Sequence, residues 1–136
     1  MSRTVIAVDL GGTKADVARV NAETWEIESK ERIPTRAEDG FAAVIDDVCS
    51  AVERQKNDST TAVGIGVPGL VSKGVLLNAP NIQNSKGIRV KELMEKPEFQ
   101  EIDELSRLVE TLDTLDEKLI ALVKNIPEGE TKIYIG

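Results

Sequence analysis

Six consecutive residues, Asp9-Leu10-Gly11-Gly12-Thr13-Lys14, bring together the groups that handle a phosphorylated ligand. Two adjacent glycines let a backbone turn come close to a ligand with no Cβ in the way. The amide N–H groups of a tight turn can cradle phosphate oxygens, the Thr13 hydroxyl can add a donor, and the Lys14 ammonium can offset negative charge. Asp9, just ahead of the turn, is placed to hold Mg²⁺ through water, which is how this reluctantly dehydrated ion prefers to be held. A plain hairpin turn would also account for Gly11-Gly12. The spacing matches neither the P-loop nor the dinucleotide fingerprint, since no helix follows Gly12. Composition removes other chemistries. The chain has no histidine and one cysteine, Cys49. Histidine-based acid–base catalysis, an internal disulfide and an ordinary structural zinc site are therefore excluded. A formal net charge of −7 argues against a nucleic-acid partner, because neutralising phosphates takes a basic patch.

Residues 4–10 form a short β-branched apolar run that reads as a buried strand delivering Asp9 to the turn. Residues 14–20 read as a second strand and 25–33 as a third, with Trp25, Ile27 and Ile33 on one face and a short loop at 21–24. Over 38–55 the period changes: Phe41, Val44, Ile45, Val48 and Val52 recur at helical spacing. A strand over 61–67 ends at Pro68-Gly69. Leu70-Val71 and Val75-Leu76-Leu77 then flank Ser72-Lys73-Gly74 as a hairpin. Beyond a polar loop at 78–87, the spacing predicts a short helix over 90–96, one long helix over 101–125, a turn, and a last strand over 132–135. In the long helix, Leu105, Leu108, Leu112, Leu115, Leu119, Leu122 and Ile126 alternate by three and four. Such a seam either packs on the chain's own sheet or serves as a homodimer contact. Its charged residues, Lys118 among them, read as a solvated face. The 136 residues suit one domain. No apolar run reaches the ~20 residues of a membrane span, and no signal peptide is expected. The lone cysteine fits a reducing, cytoplasmic setting.

A second constellation sharpens the reading. Gly64-Ile65-Gly66-Val67-Pro68-Gly69-Leu70-Val71 is followed by Asn78-Ala79-Pro80-Asn81-Ile82. With Asp9-Leu10-Gly11-Gly12-Thr13-Lys14 ahead of them, these segments resemble the amino-terminal part of the first lobe of ROK-family, glucokinase-like sugar kinases. That family lies within the actin-like ATPase superfamily. The resemblance covers about residues 5–82, with a weaker continuation to about 96. It implies an α/β, ribonuclease-H-like half-lobe of β-β-β-α-β order. Here the long helix and final strand follow, with residues 1–87 the kinase-like segment and 88–136 a helical segment packed on the same core. It also implies that Asp9 organises Mg²⁺, that Gly11, Gly12, Thr13 and Lys14 meet the phosphates of ATP, and that Gly69 and Asn81 line a sugar pocket. Asn81 also reads as an ordinary turn residue.

The chain departs from the family pattern after Asn81. The family's Glu-Asn-Asp-Ala segment, whose aspartate is the base for the sugar hydroxyl, does not occur in these residues. Asp103 has the neighbours of an amphipathic helix and reads as a first-turn carboxylate favoured by the helix dipole. The family's zinc motif, second phosphate loop and adenosine segment are likewise missing. The expectation is an amino-terminal fragment of an ATP-dependent sugar kinase, truncated or chimeric, with weak Mg²⁺-ATP binding and no assigned catalytic residue. The other expectation is a kinase-derived scaffold or dimerising module.

Overall fold

The computed structural model describes residues 2–67, 70–72, 75–78, 88–89, 99–101, 111–126 and 132–135, with side chains for 2–67 and 111–126. Strand β1 (Thr4–Leu10) turns back into β2 (Lys14–Asn21), and β2 into β3 (Ile27–Pro34), both pairings antiparallel. Helix α1 (Phe41–Gln55) leads to β4 (Thr60–Gly66), which lies parallel to β1. Strands β5 (Leu70–Ser72), β6 (Val75–Asn78) and β7 (Ile88–Arg89) form a separate antiparallel sheet, so the hairpin read around residues 72–74 is present. After β8 (Phe99–Glu101) come helix α2 (Leu115–Lys124) and β9 (Lys132–Ile135). The main sheet runs β3-β2-β1-β4-β9-β8, with β9 parallel to both of its neighbours. This is the expected β-β-β-α-β order, and the final strand joins the first sheet.

Side-chain alternation divides the sheet into two faces. On one, Ile6, Val8, Leu10, Val17 and Ile65 pack against Phe41, Val44, Ile45, Val48 and Val52 of α1. On the other, Val5, Ala7, Ala18 and Val20 meet Leu119, Leu122, Val123 and Ile126. Burying each large apolar side chain contributes roughly 1.5–3 kcal/mol. Gly64 of β4 lets the second layer sit close. A Cβ there would lie 2.9 Å from Ile126 Cδ1 and 3.7 Å from the Leu122 carbonyl oxygen.

Several expectations are corrected. The helix expected over 101–125 is not continuous: Glu101 ends β8, Thr111 is helical, residues 112–114 leave the helix, and α2 begins at Leu115. The break comes from Thr114, whose backbone is extended and whose hydroxyl accepts from the Glu117 amide. A Thr followed three residues later by Glu is a helix-start signal that prevails here over an uninterrupted leucine seam. Of that seam, Leu119, Leu122 and Ile126 are buried in the chain's own core, with Leu112 and Leu115 packed beside them. The core reading of the seam thus holds for Leu119, Leu122 and Ile126. Leu105, Leu108, Asp103 and the helix expected over 90–96 lie outside the described residues.

The helix expected from 38 is likewise split. Ala37–Asp39 makes one 3₁₀ turn, Gly40 follows at φ 91°, and α1 starts at Phe41. Only glycine adopts that backbone readily. Strand β3 begins at Ile27 rather than Trp25, because Trp25 takes a left-handed φ of 63° closing the loop from Asn21. Ile27 and Ile33 also lie on opposite faces, Ile27 against the α2 cluster and Ile33 against the α1 cluster. The cause is a bulge: Arg19 pairs with Ser29 but Val20 with Ile27, which leaves Glu28 as the extra residue and reverses the alternation.

Candidate functional site

The β1–β2 turn is held from within and from behind. Gly11 N–H donates to the Lys14 carbonyl at 2.9 Å. A Cβ on Gly11 would stand 2.9 Å from that same oxygen, so a side chain there would displace the turn. Thr35, just past β3, is buried. It donates its backbone N–H to the Thr13 carbonyl at 3.0 Å and its hydroxyl to the Gly11 carbonyl at 2.9 Å. The carbonyls of Gly11 and Thr13 are thus occupied by protein donors. The amides of Gly12 and Thr13 have no partner among the described residues. A turn with occupied acceptors and open donors suits an anion.

A cleft of about 390 Å³ opens beside this turn. Asp9, Gly11, Thr13 and Lys14 line it from the hairpin, Asp16 and Arg32 from β2 and β3, and Asp113, Leu115 and Lys118 from α2 and its approach. Strand register explains the carboxylates. Asp9 and Asp16 face each other across the β1–β2 ladder, both on the α2 face of the sheet. Asp16 is buried and accepts from Arg32 Nε at 2.9 Å. Arg32 is half exposed, and its terminal nitrogens carry no bond among the described residues. Lys14 and Lys118 make no salt bridge among the described residues. Burial pushes the Asp9 carboxyl above its ordinary range; Lys118 pulls it back down and Asp16 pushes it up again.

The expected residues Asp9, Gly11, Thr13 and Lys14 are brought to one cleft, and Gly12 sits within the same turn. Gly69 and Asn81 lie outside the described residues. Sequence reading missed Thr35, Asp16, Arg32 and Lys118. A carboxylate inside the otherwise apolar run Ala15-Asp16-Val17-Ala18 was a usable signal. Lys118, expected on a solvated face, is instead half-buried and lines the cleft.

For Mg²⁺, no three carboxylate, cysteine or histidine side chains gather into a cage among the described residues. Asp9 offers one carboxylate at the edge of an open polar cleft. That fits an ion that keeps most of its waters and is shared with ligand phosphates. No described helix is long and apolar enough to cross a membrane.

Comparison with known proteins identifies relatives of this fold. A profile of the ROK family matches residues 5–102. A ROK hexokinase from Thermus thermophilus aligns at 29% identity and a TM-score of 0.58, over 68% of this chain and 31% of its own. A ROK family glucokinase from Streptomyces griseus, solved with glucose and AMPPNP, aligns at 32% identity and a TM-score of 0.57, over 68% and 29%. An inorganic polyphosphate/ATP-glucomannokinase from an Arthrobacter strain shares the fold at 22% identity and a TM-score of 0.59, over 68% and 40%. The aligned part is therefore about a third of each solved kinase. No curated protein matches the chain.

Proposed function

The chain belongs to the ROK family, and from that premise we propose that it is the amino-terminal portion of an ATP-dependent hexose kinase. Its cleft is the wall that holds the phosphates of ATP. The observation that carries this reading is the turn at residues 11–14. Its Gly11 and Thr13 carbonyls are tied back by Thr35 and its Lys14 carbonyl by the Gly11 amide, while the Gly12 and Thr13 amides have no partner among the described residues, beside a polar cleft that Lys14 lines. Gly12 and Thr13 donate to phosphate oxygens, and Lys14 offsets their charge. Asp9 orients the waters of a Mg²⁺ ion, which when bound neutralises phosphate charge. Gly69 and Asn81 contribute to the sugar site. Further support comes from the Thermus and Streptomyces kinases, each of which aligns over 68% of the chain.

Phosphoryl transfer is catalysed by positioning and by charge stabilisation on both sides of the transferred group. A positioned base for the attacking hydroxyl adds roughly 10²–10⁴-fold. These 136 residues hold neither the family's Glu-Asn-Asp-Ala base segment nor a second phosphate loop. The chain on its own is therefore expected to bind Mg²⁺-ATP weakly, because only the surplus over desolvation and ordering costs appears as affinity, and to turn over no sugar.

Titrating Mg²⁺-ATP into the 136-residue chain should shift the Gly11, Gly12 and Thr13 amide resonances at millimolar ligand. A coupled assay with glucose, mannose, allose or fructose should stay at background. Silence at those amides would favour the non-catalytic scaffold instead. Sugar-dependent turnover would mean that the chain carries a base of its own for the sugar hydroxyl.

A further inference from the structure

We infer that Lys118 of α2 is a phosphate-binding residue, closing the cleft from the wall opposite the Gly11-Gly12-Thr13 turn. The inference rests on reading the cleft as a phosphate site, and it adds a contact that the family match does not assign, because Lys118 lies beyond the matched residues 5–102. Four observations lead to it. Lys118 lines the same cleft as Gly11, Thr13 and Lys14. It is half-buried yet makes no salt bridge among the described residues, although Asp9 lies within electrostatic reach. Lys118 and Asp9 are thus not joined in a direct ion pair, although both line the cleft. Lastly, α2 is firmly placed. Thr114 caps its start, Lys30 of β3 bonds Asp116 at 2.7 Å, and Leu119 and Leu122 anchor its buried side.

Within a chain of net charge −7, Lys14, Arg32 and Lys118 bring spare donors to one cleft. Asp16 already occupies one nitrogen of Arg32. A phosphate resting on the Gly12 and Thr13 amides would take its remaining charge-assisted contacts from Lys14 on the hairpin side and Lys118 on the helix side. Ammonium-to-phosphate bonds are among the stronger hydrogen bonds. Phosphate recognition then depends on α2 being docked.

The test compares the parent chain with Lys118→Gln and Lys118→Arg, using inorganic phosphate and, separately, Mg²⁺-ATP. The Gly12 and Thr13 amides serve as the binding readout. The fluorescence of Trp25, the chain's one tryptophan, reports whether α2 is still seated, since Lys124 Nζ of α2 lies 5.4 Å from its ring centre. We expect Lys118→Gln to weaken binding about tenfold and to flatten its salt dependence, with Trp25 fluorescence unchanged. Lys118→Arg should recover most of the affinity. If the parent binds at the turn and Lys118→Gln binds within twofold of it, with the same salt dependence, the Lys118 assignment is overturned and the phosphate site stands. If the parent's turn amides ignore both ligands, the phosphate reading itself falls, and this inference with it. Should Lys118→Gln unseat α2, Lys118→Met, which keeps the apolar stem and removes the charge, takes its place: binding weakened about tenfold with Trp25 fluorescence unchanged upholds the assignment, and binding within twofold of the parent overturns it.

Discussion

Thr35 shows how a residue distant in sequence decides what a turn can recognise. Its two hydrogen bonds engage the Gly11 and Thr13 carbonyls, so the turn offers donors to the cleft. Thr35→Val keeps the shape and removes the hydroxyl, leaving the Gly11 carbonyl short of a partner. We expect a loss of about 1–3 kcal/mol in urea unfolding, with the largest amide shifts at residues 11–13. An unchanged midpoint would count against the anchoring role. Asp9 gives a prediction of opposite sign. Burial raises its native pKa above the ordinary value of 3.8, so the native state holds this proton more tightly than the unfolded chain does. Its contribution to stability therefore falls as pH rises from 3.8 through the native value, and stays low above it. Asp9→Asn should be more stable than the parent near neutrality, the gap closing in acid; a less stable variant at neutral pH would contradict this. Asp9 and the turn were legible in the sequence because their residues are contiguous. Thr35, Arg32 and Lys118 were not, since only the β2–β3 register and the docking of α2 bring them to the cleft.

At the scale of elements, the legible parts were those whose periodicity runs unbroken, such as β1, β2, α1 and the β5–β6 hairpin. What escaped were local interruptions that leave the apolar pattern intact. Glu28 inserts into β3 without disturbing its composition, yet it sends Ile27 and Ile33 to opposite layers. The leucine seam passes through residues 112–114 without a gap, yet α2 starts at Leu115 because Thr114 supplies the first-turn acceptor. That cap can be measured. Thr114→Ala should cost about 0.5–2 kcal/mol of unfolding free energy. Since α2 carries one wall of the cleft, the same variant should quicken hydrogen exchange at Glu117 and Lys118 more than in α1. Equal protection in the two helices would argue that packing alone holds the start of α2. The Glu31 carboxylate, held below its ordinary range chiefly by its hydrogen bond from Arg54, ties β3 to α1. Its contribution is present at neutral pH and is lost as pH falls through its native value.

Across the whole molecule, the decisive feature is the place of β9, between β4 and β8 rather than at an edge. Removing residues 127–136 would strip β4 of one neighbour and leave β8 without its partner. We expect a shortened chain ending at Ile126 to be less stable in urea and to sediment partly as aggregates, since an unpaired strand edge is a template for pairing with other chains. A stable, monodisperse shortened chain would mean that β9 is dispensable. The same placement also carries a consequence in time. On a ribosome, β1 to β4 and α1 can assemble from neighbouring stretches of sequence as they emerge. Ala62 must wait for Lys132, its partner across the β4–β9 ladder. Pairings so far apart in sequence form slowly, and synthesis proceeds at only about 5–20 residues per second. For several seconds, then, each nascent chain presents one open strand edge to its neighbours on the same messenger, and a chaperone that shields extended backbone would find its substrate at β4.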